Sequence, residues 1–147
     1  MSALTIDAIT DADIEPVVAL WQRCGLTRPW NDPHADIALA RRRDNSTVLL
    51  GRDNGATVAT IMVGHDGHRG WVYYVAVDPD RQKRGYGRVI MTAAEDWLRA
   101  AGILKLQLLV RRENAQANAF YQSLGFEEST SVMFQKWLDG RATTSSN

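Results

Sequence analysis

"VDPDRQKRGYGRVI", residues 77–90, is where the chain changes its period. Before it, "WVYYVAV" (71–77) is a run of β-favouring residues. After Gly85, the residues Val89, Ile90, Ala93, Ala94, Trp97, Leu98 and Ala101 recur as a stripe at helical spacing, and Gly102 ends it. A strand therefore hands over to a helix through Asp78, Pro79, two glycines and four cations, Arg81, Lys83, Arg84 and Arg88. A helix N-terminus leaves backbone N–H groups unpaired and carries the positive end of the macrodipole. Glycines let that backbone approach a ligand, and cations add attraction for phosphate. "QKRGYGR" thus reads as a turn that holds an anion, most simply a phosphate or pyrophosphate. The plainer reading is a tight turn beside a solvated basic face.

Outward from this turn the pattern is regular. Residues 3–9 read as a strand, and Thr10 or Asp11 can cap a helix with Ile14, Val17, Val18, Trp21 and Cys24 on one face, stopped by Gly25. "LTRPWNDP" is a loop, since Pro29 and Pro33 disfavour helix in the residue before each. A second helix spans roughly 33–43. Strands at 46–52 and 56–65 flank "DNGA", a strong hairpin signal. "DGHRG" turns into the strand 71–77. Strand 104–110, helix 115–124 and a final strand 131–138 complete the order βααβββαβαβ. That order predicts an α/β fold, with a mixed sheet and helices on both faces. Residues 1–140 read as a single domain and 141–147 as a polar tail.

The 147 residues carry 17 basic and 17 acidic side chains, so no global charge points to nucleic acid or an anionic membrane. No apolar run reaches the roughly 20 residues of a membrane span, and "MSALTIDAIT" lacks the regions of a signal peptide. The single cysteine, Cys24, excludes an intrachain disulfide and suits a reducing, cytoplasmic setting. Its place in an apolar stripe marks it as an inert packed thiol.

Two phosphate-binding classes are excluded. A dinucleotide fingerprint needs a third glycine where Ile90 stands and an acidic residue about 20 positions on, absent from "LKLQLLV". A P-loop motif occurs nowhere in the chain. What remains is Q-x-x-G-x-G, spelled Gln82, Gly85 and Gly87, directly after "YVAVDP", with "VRRENAQANAFYQSLGF" about thirty residues later. Together these resemble the GNAT superfamily of acyl-coenzyme A N-acyltransferases over roughly residues 3–138. "RPWNDP", "DGHRG" and "YYVAV" further resemble its small bacterial YpeA-type members.

The resemblance implies acetyl-coenzyme A as cofactor, with the amides of Gln82, Lys83, Arg84, Gly85, Tyr86, Gly87 and Arg88 around its pyrophosphate. It implies that strand 71–77 bulges away from strand 104–110, with pantetheine in the gap beside Val75, Ala76 and Val77. The backbone N–H near Val77 would then face the thioester carbonyl. Asn114 matches the position contacting the pantetheine arm, with Ala117 a turn further on; the plainer role for Asn114 is a helix N-cap. Tyr121 matches the tyrosine beside the cofactor sulfur, where a phenol can protonate the leaving thiolate. Tyr121 also lies on an apolar face with Ala117, Phe120 and Leu124, as an ordinary core residue would.

The general base is not evident. Period two places Trp71, Tyr73, Val75 and Val77 on one face, none a usual base. Ribosomal-protein acetyltransferases of the superfamily use a glutamate where Leu109 stands here, so their mechanism does not transfer. Candidates are Asp66, His65 and His68 of the "GHDGHRG" turn, Glu113, Asp32, and Tyr73 acting through water. A metal site is not signalled. By resemblance, Trp30, Asn31 and Asp32, with Trp71 and Tyr73, would line the entrance for a small-molecule or peptide amine. Members of the superfamily also pair final strands across homodimers. The leading expectation is direct transfer of acetyl to a primary amine in a ternary complex. A non-catalytic acyl-coenzyme A sensor, or an interaction protein binding another anion, stands beside it.

Overall fold

The computed structural model describes residues 4–142. The chain forms two compact units, Met1–Leu109 and Val110–Asn147, each taken by itself.

In the first unit the order is β1 (Thr5–Ala8), α1 (Ile14–Arg23), α2 (Pro33–Ala40), β2 (Ser46–Asp53), β3 (Ala56–His65), β4 (Gly70–Val77), α3 (Tyr86–Ala100) and β5 (Leu106–Gln107). Asn54 and Gly55 take φ of 50° and 84°, so the Asn-Gly pair turns β2 back onto β3 as the sequence predicts. The sheet runs β1-β2-β3-β4-β5, antiparallel except for the last, parallel pair. Before α1, Asp13 accepts hydrogen bonds from the Thr10 N–H and hydroxyl, both at 2.8 Å, which organises the first turn. Helix α1 buries Val17, Val18, Leu20 and Trp21, and its core also takes Ile37 and Ala40 of α2 with Val48, Leu50 and Ala76 of the sheet. Each large side chain so buried contributes roughly 1.5–3 kcal/mol. On the other face, a Cβ on Gly51 would meet Ala59 and Ile90, and one on Gly70 would meet Leu98 within 3 Å, so α3 covers that side.

Helix α2 stops three residues before the expected 43. Its Ala40 carbonyl accepts from the Ser46 hydroxyl at 2.8 Å, and the exposed Arg42 and Arg43 have no apolar face to extend it. Strand β5 is also shorter than 104–110: only Leu106 and Gln107 pair, with Gly70 and Trp71.

The alternation expected along β4 breaks at Tyr74, whose φ is 52°. Met62 pairs with Tyr73 and Thr60 with Ala76, so Tyr74 and Val75 together oppose Ile61 as a β-bulge. Cross-strand partners share a face. Tyr73 and Ala76 therefore lie on the α1/α2 side with Met62 and Thr60, and Tyr74 joins them by stacking on Trp21. Val77, opposite Ala59, lies on the α3 side. Trp71 and Tyr73 thus do not share a face with Val77, which corrects the period-two expectation.

In the second unit, Asn114 caps α4 (Ala115–Ser123), its Oδ1 accepting the Ala117 N–H at 3.0 Å. Gly125, at φ 93°, ends it. The expected strand 131–138 is not formed: these residues carry no regular structure, and Val132, Met133, Phe134 and Leu138 are exposed. No described strand lies in this unit to complete a ladder. Of the expected tail, residues 143–147 lie outside the described residues. No described helix is long and apolar enough to cross a membrane.

Candidate functional site

The turn from β4 to α3 is built to keep its amides free. Asp78 accepts the Asp80 N–H at 2.9 Å and pairs with Arg23, fixing a 3-10 turn over Pro79–Arg81. Burial acts to raise the Asp78 carboxyl, but the Arg23 guanidinium and the Asp80 amide hold it below its ordinary value. Lys83 and Gly85 then take φ of 65° and 78°. The first bond into α3 runs from the Val89 N–H to the Gly85 carbonyl at 3.1 Å. Outside the regular elements, no backbone N–H from Gln82 to Gly85 makes a close hydrogen bond to another backbone group among the described residues, and Tyr86, Gly87 and Arg88 stand in the first turn of α3, ahead of its first bond. Lys83, Arg84 and Arg88 are exposed and make no ion pair among the described residues, whereas Arg81 is held by Asp53 at 3.1 Å. A Cβ added to Gly85 would meet nothing within 4 Å, so it would stand in open space.

The end of β4 leads directly into this turn. Asp78 donates to the Val58 carbonyl at 2.8 Å, which makes that position a hydrogen-bonded pair of the ladder. Its neighbour Val77, opposite Ala59, is then a non-bonded pair whose N–H and C=O point away from β3. Ala76, one step back, returns to the β3 ladder, so its backbone is not offered to the open edge. The Val77 carbonyl accepts from Gln82 Nε2 at 2.9 Å and from Cys24 Sγ at 3.4 Å. Burial pushes the Cys24 thiol up, against the nearby Arg23 charge, so it stays protonated as the donor this contact needs. Pairing with β5 ends at Trp71, and β4 beyond it has no ladder partner on that side among the described residues.

A buried polar chain holds the bulge of β4 in place. Trp21 Nε1 donates to Thr60 Oγ1 at 2.8 Å, and Thr60 donates to the Tyr74 carbonyl at 3.1 Å. The Tyr74 ring stacks on Trp21 with centroids 3.7 Å apart and planes 8° from parallel, while its hydroxyl donates to Asp36 at 2.7 Å. Burial, reinforced by that carboxylate, raises the Tyr74 phenol far above its ordinary value. A tyrosine in the left-handed region costs about 1–3 kcal/mol, and these contacts offset it.

The remaining expected residues are dispersed. Asp66 caps the β3–β4 hairpin, accepting the Arg69 and His68 N–H groups at 2.8 and 2.9 Å, which lowers its carboxyl. At about 3.3 Å per residue, β4 separates that tip from Val77 by about 20 Å or more, so Asp66, His65 and His68 are not brought to the turn. Tyr73 is 48% exposed, and burial of the rest of its ring raises the phenol. Asp32 caps α2, accepting from the His34 and Ala35 N–H groups at 2.9 and 3.2 Å, and the Asn31 N–H donates to the Arg28 carbonyl at 3.1 Å. Trp30 is half-buried beside them in the chain. In the second unit, Tyr121 packs edge-on against Phe120 and Phe126, with centroids 5.0 and 5.8 Å away, and burial raises its phenol. No group of three or more metal-ligating side chains forms among the described residues. Thr60, Asp36 and Asp53 were missed by sequence reasoning. Only Thr60 leaves a signal, as a lone polar residue deep in the apolar run "VATIMV".

The Acetyltransferase (GNAT) family profile matches residues 7–126. An acetyltransferase of Yersinia enterocolitica is 37% identical over 135 residues, 92% of this chain and 96% of its own. One of Yersinia pseudotuberculosis is 39% identical over 126 residues, 86% and 89% of the two chains. Among solved structures, the ribosomal-protein-S18-alanine N-acetyltransferase of Escherichia coli is 29% identical with a TM-score of 0.75, over 95% of this chain and 88% of that one. An aminoglycoside N-acetyltransferase solved with CoA reaches a TM-score of 0.79 at 18% identity, over 94% and 97%, a likeness of fold. The chain belongs to the GNAT acetyltransferase family, acyltransferases that draw their acetyl group from acetyl-coenzyme A.

Proposed function

We propose that this enzyme acetylates a primary amine, on a small molecule or a peptide, by direct attack within a ternary complex. The observation that carries the reading is the run of unbridged amides from Gln82 to Arg88, set beside the open edge of β4. Those amides, with the cations of Lys83, Arg84 and Arg88, suit a diphosphate, and the Val75 and Val77 backbone suits the amides of a pantetheine arm. Bound acetyl-coenzyme A would supply the acetyl thioester. The Val77 N–H donates to the carbonyl oxygen where negative charge develops. By its match to the family tyrosine, Tyr121, whose phenol burial raises and so keeps protonated at neutral pH, would give its proton to the departing sulfur. Tyr73, likewise protonated, would pass the ammonium proton through water to bulk solvent rather than keep it as a base.

The acceptor enters between Trp30, Asn31 and Asp32 and the Trp71–Tyr73 side of β4. The Escherichia coli relative is named for acetylating a protein alanine. By the resemblance, Leu109 stands where ribosomal-protein acetyltransferases of the superfamily use a glutamate, so a peptide acceptor here would lose its proton by another route. The test is thiol release from acetyl-coenzyme A across a panel of amines. Turnover on at least one primary amine is expected. Tight coenzyme A binding without turnover on any amine would favour the sensor reading instead.

A further inference from the structure

The main chain of the turn does little to shape it: Gln82 Nε2 donates back to the Val77 and Asp78 carbonyls at 2.9 and 3.4 Å, but the residues after Gln82 have no such side-chain bond among the described residues. It also contains a lysine at φ 65°, which an isolated loop would avoid. Further restraint comes from its two ends. Both ends lead to one carboxylate. Asp53, the last residue of β2, is 9% exposed at its side chain. Its Oδ2 accepts the Tyr86 hydroxyl at 3.0 Å and Arg81 Nη1 at 3.1 Å. Arg81 closes the 3-10 turn just before Gln82, and Tyr86 is the first residue of α3, just after Gly85, with 5% of its surface exposed. One buried oxygen thus ties together the residues on either side of Gln82, Lys83, Arg84 and Gly85.

We infer that Asp53 is a positioning residue for the cofactor: it clamps Arg81 and Tyr86 so that the turn between them is set before coenzyme A arrives. This rests on the proposed place of the diphosphate at residues 82–88. The clamp also assigns Arg81 a structural use and leaves Lys83, Arg84 and Arg88 as the cations that meet the ligand. A pre-set turn spares the ligand the cost of ordering it. Asp53 touches no reacting atom, so its loss acts on affinity for the diphosphate-bearing donor and not on the chemical step.

The experiment compares Asp53→Asn and Tyr86→Phe with the wild type in coenzyme A affinity, and in kinetics with acetyl-coenzyme A and with S-acetyl-N-acetylcysteamine, a thioester lacking the diphosphate. Tyr86→Phe keeps the buried ring and removes only the hydroxyl, so it serves if Asp53→Asn fails to fold. The expected result is about a tenfold rise in Kd for coenzyme A and in KM for acetyl-coenzyme A, with kcat within about twofold. The loss of kcat/KM should be at least about fivefold greater for acetyl-coenzyme A than for the truncated thioester, and the double variant should lose less than the two singles combined. Unchanged affinity in both folded variants, equal losses on the two thioesters, or additive losses would overturn the clamp alone. Failure of the wild type to bind coenzyme A would overturn the cofactor site with it.

Discussion

Gly85 combines a left-handed φ of 78° with open space where a Cβ would stand, and Gly102 has the same pairing at 79° beyond the far end of α3. Alanine at either position should cost about 1 kcal/mol of stability through backbone strain. Only Gly85→Ala should also weaken coenzyme A binding, by about tenfold or more, since its methyl group would stand in the open space where the diphosphate is proposed to lie. Calorimetric titration of both variants checks this, and equal affinities would remove the turn from the binding site. Tyr121 can be tested with the same economy. Tyr121→Phe keeps the packing against Phe120 and Phe126 and removes the acidic proton. Its kcat should fall by about 100-fold with cofactor affinity within about twofold, and a parallel loss of affinity would mark a packing role.

Strand β4 holds the clearest lesson about elements. Its existence, its ends and its handover to α3 are legible, because β-favouring residues, an Asp-Pro turn and a helical stripe follow in order. The bulge at Tyr74 is not, since its determinants are a tryptophan in α1, a threonine in β3 and an aspartate in α2 that no local pattern connects. Assuming an unbroken period of two put Val77 on the same face as Trp71 and Tyr73, where it does not lie. Asp53 escaped notice for the same reason, reading as one more polar hairpin residue. The strand expected at 131–138 had the right composition, but composition does not supply a neighbouring ladder. Thr60→Val removes the hydroxyl that joins Trp21 to the Tyr74 carbonyl and leaves a buried indole N–H without its acceptor. It should destabilise the protein by about 1–3 kcal/mol and lower kcat as the Val77 amide loses its aim. Denaturant titration and steady-state kinetics read the two effects, and an unchanged kcat would separate the bulge from catalysis.

For the whole molecule, the balance of 17 cations and 17 anions places the electrostatic stakes in particular pairs. Asp13 and Asp78 are both subject to burial that would raise them, yet Thr10 and Arg52 for the first, and Arg23 and the Asp80 amide for the second, hold both below the ordinary 3.8. A carboxyl lowered in the folded state stabilises above its unfolded value, and that stability is lost as pH falls through the folded value. Both pairs should therefore contribute fully from about pH 5 upward, with Tm falling below about pH 4. Asp78→Asn should flatten that acid limb in a thermal-shift series, and an unaltered limb would deny the Arg23 pair its role. The central claim is that free main-chain amides beside an open strand edge receive the cofactor. Backbone amide NMR during titration with coenzyme A tests it most directly. The largest shifts should fall on Gln82 to Arg88 and on Val75 and Val77. Shifts centred elsewhere, such as the Asp66–Arg69 tip, or none at saturating coenzyme A, would contradict it.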